Sequence, residues 1–153
     1  MARTRFAVST EGEIAFTAAT ARTALQLVTP ANIGVAVRGF SVSFDGTSGT
    51  AEPGVVRLLM QPTAGTMTAA TPVHDDRRNG LTIQSSAQKS ATGAEPTAST
   101  VLRNLHMHPQ TGGEWRFWLD EEIVLGGAAA QRLGVEVTMP ATVNGIVTLF
   151  CEE

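Results

Sequence analysis

Residues 35–61 constrain the fold more than any other part of the sequence. In residues 40–44, phenylalanine and valine alternate with Ser41 and Ser43, which is the period-2 pattern of a strand with one buried face. A polar loop follows, and residues 55–61 then alternate again, with Arg57 and Gln61 on the outward side. The stretch therefore predicts two strands joined by a loop, each with one face in the core.

The phase of this alternation changes at Gly39. The apolar positions before it are Val35 and Val37, and those after it are Phe40 and Val42, on the opposite parity. A β-bulge adds one residue to a strand and so flips the side chains that follow, which predicts a bulge here. The core predicted from all the strand patterns comprises Phe40, Val42, Phe44, Val56, Leu58, Met60, Val135, Val137, Val147 and Leu149.

Short alternating segments separated by turn residues continue to the end of the chain. Residues 133–139 give the clearest one-sided pattern, and no segment has a long helical period. About eight or nine such strands predict an all-β chain, built as an antiparallel β-sandwich or jelly roll. We assign residues 14–153 to this one domain and residues 1–13 to an N-terminal arm, because the arm has no core pattern.

Composition excludes several kinds of partner. The 153 residues suit one domain, and the net charge of −3 provides no basic field for nucleic acid. No apolar run approaches membrane-spanning length, so a membrane partner is not expected. The single cysteine, Cys151, cannot form an internal disulfide and fits folding in a reducing cytoplasm, where we expect it to be buried apolar filler.

The segment His106-Met107-His108 is the candidate metal site. Two histidines at i and i+2 on a strand share a face and can chelate a metal ion, and with Glu114 they faintly resemble the cupin motif. The spacing to Glu114 is longer than in cupins, the flanking glycines are absent, and no second histidine motif follows. We therefore predict no metal and no cofactor, with two outward histidines.

Other catalytic motifs are missing from the sequence. There is no Gly-x-Ser-x-Gly elbow, no P-loop and no Gly-x-Gly-x-x-Gly fingerprint. A pair of glycosidase carboxylates stays open, since any β-sandwich can hold one, but nothing in the sequence selects it. We predict no enzymatic activity and no catalytic residues.

Three features point to contacts between chains. Trp115 and Trp118 lie three apart on an expected strand, so they should face opposite ways, with Trp118 outward to pack under a loop, stack on a sugar or enter a protein interface. Residues 143–151 are apolar on both faces, which predicts a central strand or one covered by a partner. The N-terminal arm, which could lay an extra strand on a neighbour's sheet edge, adds Arg3, Arg5 and Phe6. The interface candidates are therefore Arg3, Arg5, Phe6, Trp118, Ile146 and Phe150.

Several segments resemble a family of small β proteins of tailed bacteriophages and prophages, which are virion structural proteins of the capsid decoration (cement) type. The resemblance covers about residues 20–153 and is carried by Thr23-Ala24-Leu25-Gln26-Leu27, Phe44-Asp45-Gly46, residues 62–72, Glu95-Pro96-Thr97, His108-Pro109-Gln110, Arg132-Leu133-Gly134 and Val143-Asn144.

This resemblance implies a function without catalysis or cofactor. It implies many copies, commonly homotrimers, bound to the major capsid protein on the outside of an icosahedral shell, after synthesis in the host cytoplasm. The alternatives are a tail-associated carbohydrate- or receptor-binding β-sandwich that uses Trp118, and a cupin-like metalloenzyme that uses His106 and His108.

Overall fold

The computed structural model describes residues 4–46, 49, 51–75, 80–127 and 129–153. These residues form thirteen strands and no helix. The strands are β1 (Arg5–Ser9), β2 (Ile14–Phe16), β3 (Arg22–Val28), β4 (Val35–Phe44), β5 (Gly54–Met60), β6 (Thr68–Ala70), β7 (Val73–His74), β8 (Ser86–Lys89), β9 (Thr100–Met107), β10 (Gly113–Arg116), β11 (Ile123–Leu125), β12 (Arg132–Thr138) and β13 (Val143–Glu152).

The strands form two packed sheets, which confirms the predicted antiparallel β-sandwich. The first sheet has the order β10-β4-β13-β1-β7, with β11 also on β4 and β2 also on β13. The second sheet has the order β6-β8-β3-β12-β5-β9. The predicted number of strands was too low, because short strands of two to four residues such as β6, β7 and β8 lack a readable alternation.

The predicted bulge is present in β4. Phe150 of β13 pairs with Gly39, but the next residue, Cys151, pairs with Val37, so Arg38 is the extra residue. Val35 and Val37 before the bulge, and Phe40 and Val42 after it, are all buried in one core. Glycine is required because a Cβ at Gly39 would collide with the carbonyl oxygen of Trp115.

The predicted N-terminal arm is wrong for the described residues. Arg5–Ser9 forms β1, which pairs with β13 on one side and with β7 on the other. Phe6 and Val8 are fully buried in the core. The sequence pattern does not reveal this strand, because only two of its side chains enter the core. Its pairing partners, β13 and β7, also lie far from it in the sequence.

Most of the predicted core is buried between the two sheets. Phe44 and Met60 are the exceptions, since each is partly exposed while packing against the core. Phe44 lies near the end of its strand and meets Phe16 edge to face, with ring centroids 6.2 Å apart. Leu59 is buried although the alternation placed it outward, because loops also cover the outer side of the second sheet.

That covering involves the polar stretch between β8 and β9. The backbone N–H of Thr92 donates to the Thr66 carbonyl, and a Glu95 carboxylate oxygen accepts from the N–H of Thr23 at 2.9 Å. Beneath these loops, Gln26 and Gln61 are buried and hydrogen-bonded to each other at 2.6 Å. The polar stretch between β8 and β9 therefore packs over the second sheet, and it does not cover β13 in the first sheet.

Burial makes a direct comparison of two phenylalanines possible. We expect Phe40→Ala to lower the free energy of unfolding by about 3–5 kcal/mol, because it removes a fully buried ring and leaves a cavity. Phe44→Ala should cost less than half as much, because solvent already reaches Phe44. Urea unfolding of both variants measures the difference, and equal losses would contradict the placement of Phe44 at the margin of the core.

Candidate interaction surface

The edge of the first sheet is interrupted opposite the bulge. β10 pairs with residues 39–42 of β4 and β11 pairs with residues 35–37, so both lie along the same side of one strand. Between them, the six residues 117–122 leave the sheet at the position of Arg38. β10 and β11 leave only one residue of β4 unpaired between them, so a six-residue turn is longer than the strand pairing requires. Surface loops of this kind commonly carry function.

Arg38 holds this excursion at both ends. Its carbonyl accepts a hydrogen bond from the N–H of Phe117 at 2.8 Å, and its Nε lies 3.3 Å from Oε1 of Glu122. The Phe117 ring packs against the core, with its centroid 6.4 Å from that of Phe40. The bulge thus provides one residue that ties down both arms of the turn.

Arg103, from the edge strand β9 of the second sheet, adds a third support. Its guanidinium lies over the Phe117 ring, 5.7 Å from the centroid, and its Nη2 donates to the Glu121 carbonyl at 3.4 Å. Within the turn, the N–H of Glu121 donates to the Trp118 carbonyl at 2.9 Å. The turn is therefore held by both sheets and closed by its own hydrogen bond.

The turn at residues 117–122 and the neighbouring strand β10 expose large apolar side chains to solvent. Trp118 is 81% exposed and Leu119 is 77% exposed, and Trp115 on the adjacent β10 is 50% exposed. We call these three residues the edge patch. The outward placement predicted for Trp118 is confirmed. A turn that is supported in this way and exposes aromatic and aliphatic groups is typical of a protein contact surface.

The sequence pattern misplaced Trp115 and Leu119. Residues 115–119 alternate with Trp115, Phe117 and Leu119 on one face, which is typical of a strand that buries all three, but the strand ends at Arg116. Only Phe117 reaches the core. The Asp120-Glu121-Glu122 run directly after Leu119 was the available signal for an exposed turn at this point.

The outer face of β13 is less exposed than the sequence suggested. The Arg116 guanidinium covers the Phe150 ring at 3.4 Å from its centroid, and Ile146 is 37% exposed. A depression of about 240 Å³ lies beside Phe150. Its lining brings together Arg5, Arg38, Asp75, Arg116, Phe117, Phe150 and Cys151.

The three arginines that line this depression are paired with carboxylates. Glu152 is buried, and its Oε2 lies 2.6 Å from Nη1 of Arg38 and 3.2 Å from Nε of Arg5. The Nε of Arg116 lies 2.7 Å from Oε1 of Glu114. Two of the interface candidates, Arg5 and Phe150, thus line the same depression. Both already have partners within the chain, since Arg5 pairs with Glu152 and Arg116 covers the Phe150 ring.

Two other interface candidates have different outcomes. Phe6 lies inside the core between the sheets, so it is not an interface residue of the folded chain. Arg3 lies outside the described residues.

The two candidate metal-binding histidines do not form a shared site. His106 is an exposed residue of β9, whereas His108 lies beyond the end of the strand. There Nδ1 of His108 accepts a hydrogen bond from the N–H of Gln110 at 3.2 Å, and Glu114 is engaged by Arg116. Among the residues that the structure describes, no group of three histidine, cysteine or carboxylate side chains is placed to hold a metal ion.

Comparison with known proteins gives no relative. No family model, no curated protein and no solved structure matches the chain. Within the described part of the chain, no helix is long and apolar enough to cross a membrane.

Cys151 is expected to be chemically inert in the folded protein. Burial raises the pKa of its thiol well above the usual range, with smaller contributions from the charges of Asp75 and Glu153. A thiol-specific reagent should therefore leave the native protein unlabelled at about pH 8 and react in concentrated guanidinium chloride. Because only the unfolded thiol ionises in mild alkali, this group also makes stability fall as the pH rises above its unfolded pKa. Rapid native labelling would contradict the burial.

Proposed function

We propose that this chain is a non-enzymatic virion structural protein of a tailed phage, most specifically a capsid decoration protein that binds the major capsid protein on the outside of the shell. The edge patch carries this proposal. Two observations support it. The sequence resembles phage cement proteins, and the edge patch is a surface suited to a protein partner, since it exposes most of two apolar side chains on a turn held by both sheets.

The energetics of such a surface favour binding. Burying one large apolar side chain contributes about 1.5–3 kcal/mol, so Trp118 and Leu119 offer a substantial gain to any partner that covers them. The supports from Arg38 and Arg103 mean that little conformational freedom is lost when the turn is bound. The same two residues are a liability for a chain that remains free in solution.

Self-association as a homotrimer is the second part of the proposal. Charged residues make up only 16% of the chain, which leaves little repulsion between copies packed around a symmetry axis. Ile146 on the outer face of β13 remains partly exposed and suits such a contact. Phe6 and Phe150, by contrast, are already covered within the chain.

Light scattering at micromolar concentration measures the oligomeric state directly. We expect a species of three times the 16.1 kDa mass of one chain, with dissociation on dilution if the contact is weak. A monodisperse 16.1 kDa species would contradict a solution trimer and would restrict trimer formation to the capsid surface.

Imaging of particles from the encoding phage or prophage tests the location. We expect density for this chain at regular positions on the outside of the shell. Density on the tail alone would favour the carbohydrate- or receptor-binding alternative, for which the 81% exposure of Trp118 is the favourable observation, since an exposed indole can stack on a sugar ring. A glycan array then identifies the sugar, and absence from the particle would contradict both.

A further inference from the structure

The edge patch has an acidic border. Asp120 and Glu121 follow Trp118 and Leu119 directly and are exposed. Within the part of the chain that the structure describes, their carboxylates make no hydrogen bond and no ion pair. The exposed apolar surface is thus bordered by two carboxylates that are available to a partner.

Among the described residues, the neighbouring arginines form no ion pair with Asp120 or Glu121. Arg38 is engaged with Glu122 and Glu152, and Arg116 is engaged with Glu114 and the Phe150 ring. Arg103 points its guanidinium at the Phe117 ring and donates to backbone carbonyls. The surface offered to a partner therefore combines an indole, an isobutyl group and negative charge.

We propose that the edge patch binds an apolar groove bordered by lysine or arginine side chains on a different protein, and that it is not a contact between copies of this chain. This inference rests on the proposed function, in which that protein is the major capsid protein. Charge complementarity determines the choice, because opposite charges at the border of an interface select the partner and steer the encounter.

A second copy is a poor occupant of the same surface. A two-fold contact would place Asp120 and Glu121 of both copies against each other, which is repulsive. A head-to-tail contact would need a basic apolar surface elsewhere on the chain. Among the described residues, exposed Val73 pairs with β1, which carries Arg5, and exposed Val101 shares β9 with Arg103, but these two guanidinium groups are engaged with Glu152 and with the Phe117 ring of their own chain. Ile146 pairs with Ser43, which carries no charge.

Tryptophan fluorescence provides the test. Trp115→Phe leaves Trp118 as the only tryptophan, since the chain contains two. The probes are two short amphipathic peptides that differ only in charge, one of leucine and lysine and one of leucine and glutamate. We expect the leucine–lysine peptide to shift Trp118 emission to the blue, and the leucine–glutamate peptide to bind about fivefold to tenfold more weakly or not at all.

Variants separate the two components of the surface. Leu119→Ala should weaken binding of the leucine–lysine peptide, and Val73→Ala, a half-exposed residue at the opposite edge of the sheet, is the matched control that should not. Replacing Asp120 and Glu121 together by lysine should reverse the preference between the peptides. Equal binding of both peptides, no blue shift with either, or a blue shift produced by raising the protein concentration alone would each overturn the inference.

Binding to phage shells distinguishes this inference from the proposed function. If shells bind the native chain and its Trp118→Ala variant equally, the decoration function stands and the edge patch is not the contact. If shells bind neither protein but the leucine–lysine peptide binds selectively, the basic-groove inference stands and the decoration function fails. Loss of shell binding in Trp118→Ala, with Val73→Ala unchanged, supports both.

Discussion

The pairing of β4 with β13, and the one-residue bulge within it, is the constraint on which the rest of the structure depends. The two ten-residue strands form the centre of the first sheet, and every other described strand of that sheet except β7, which pairs with β1, pairs with one of them. A regular β4 would turn either Val35 and Val37 or Phe40 and Val42 away from the core. By adding Arg38, the bulge keeps both pairs buried, because a single extra residue restores the inward phase.

The same residue connects the core to the surface. Because the bulge leaves Arg38 out of the strand register with β13, β10 and β11, its carbonyl and part of its guanidinium can hold the turn at residues 117–122. Its guanidinium also reaches the buried carboxylate of Glu152, where a lone charge would be costly. One irregularity therefore completes the core, satisfies a buried acid and positions the most exposed aromatic residue of the described chain.

This arrangement gives the proposed function a physical basis. A decoration protein has to recognise a large surface with a small domain, so a few well-placed anchors matter more than total area. In the proposed function, Trp118 and Leu119 would be these anchors, and the carboxylates beside them would supply selectivity without burying a charge in the core. The paired charges around the Phe150 depression, by contrast, stabilise the fold and leave little for a ligand.

The sequence by itself determined the fold class, the main core positions and the bulge, because period-2 alternation and its phase are local properties of the chain. It also placed Trp118 outward. Only the tertiary structure decided that Phe6 is buried, that Arg116 covers Phe150, and that Trp115 and Leu119 lie outside. Those outcomes depend on which strands pair across long sequence distances. Strand β1 pairs with β13, at the other end of the chain, and the turn at residues 117–122 leaves the sheet opposite the bulge in β4. Alternation reports which faces of a strand are apolar, but it carries no information about the neighbour that will cover them.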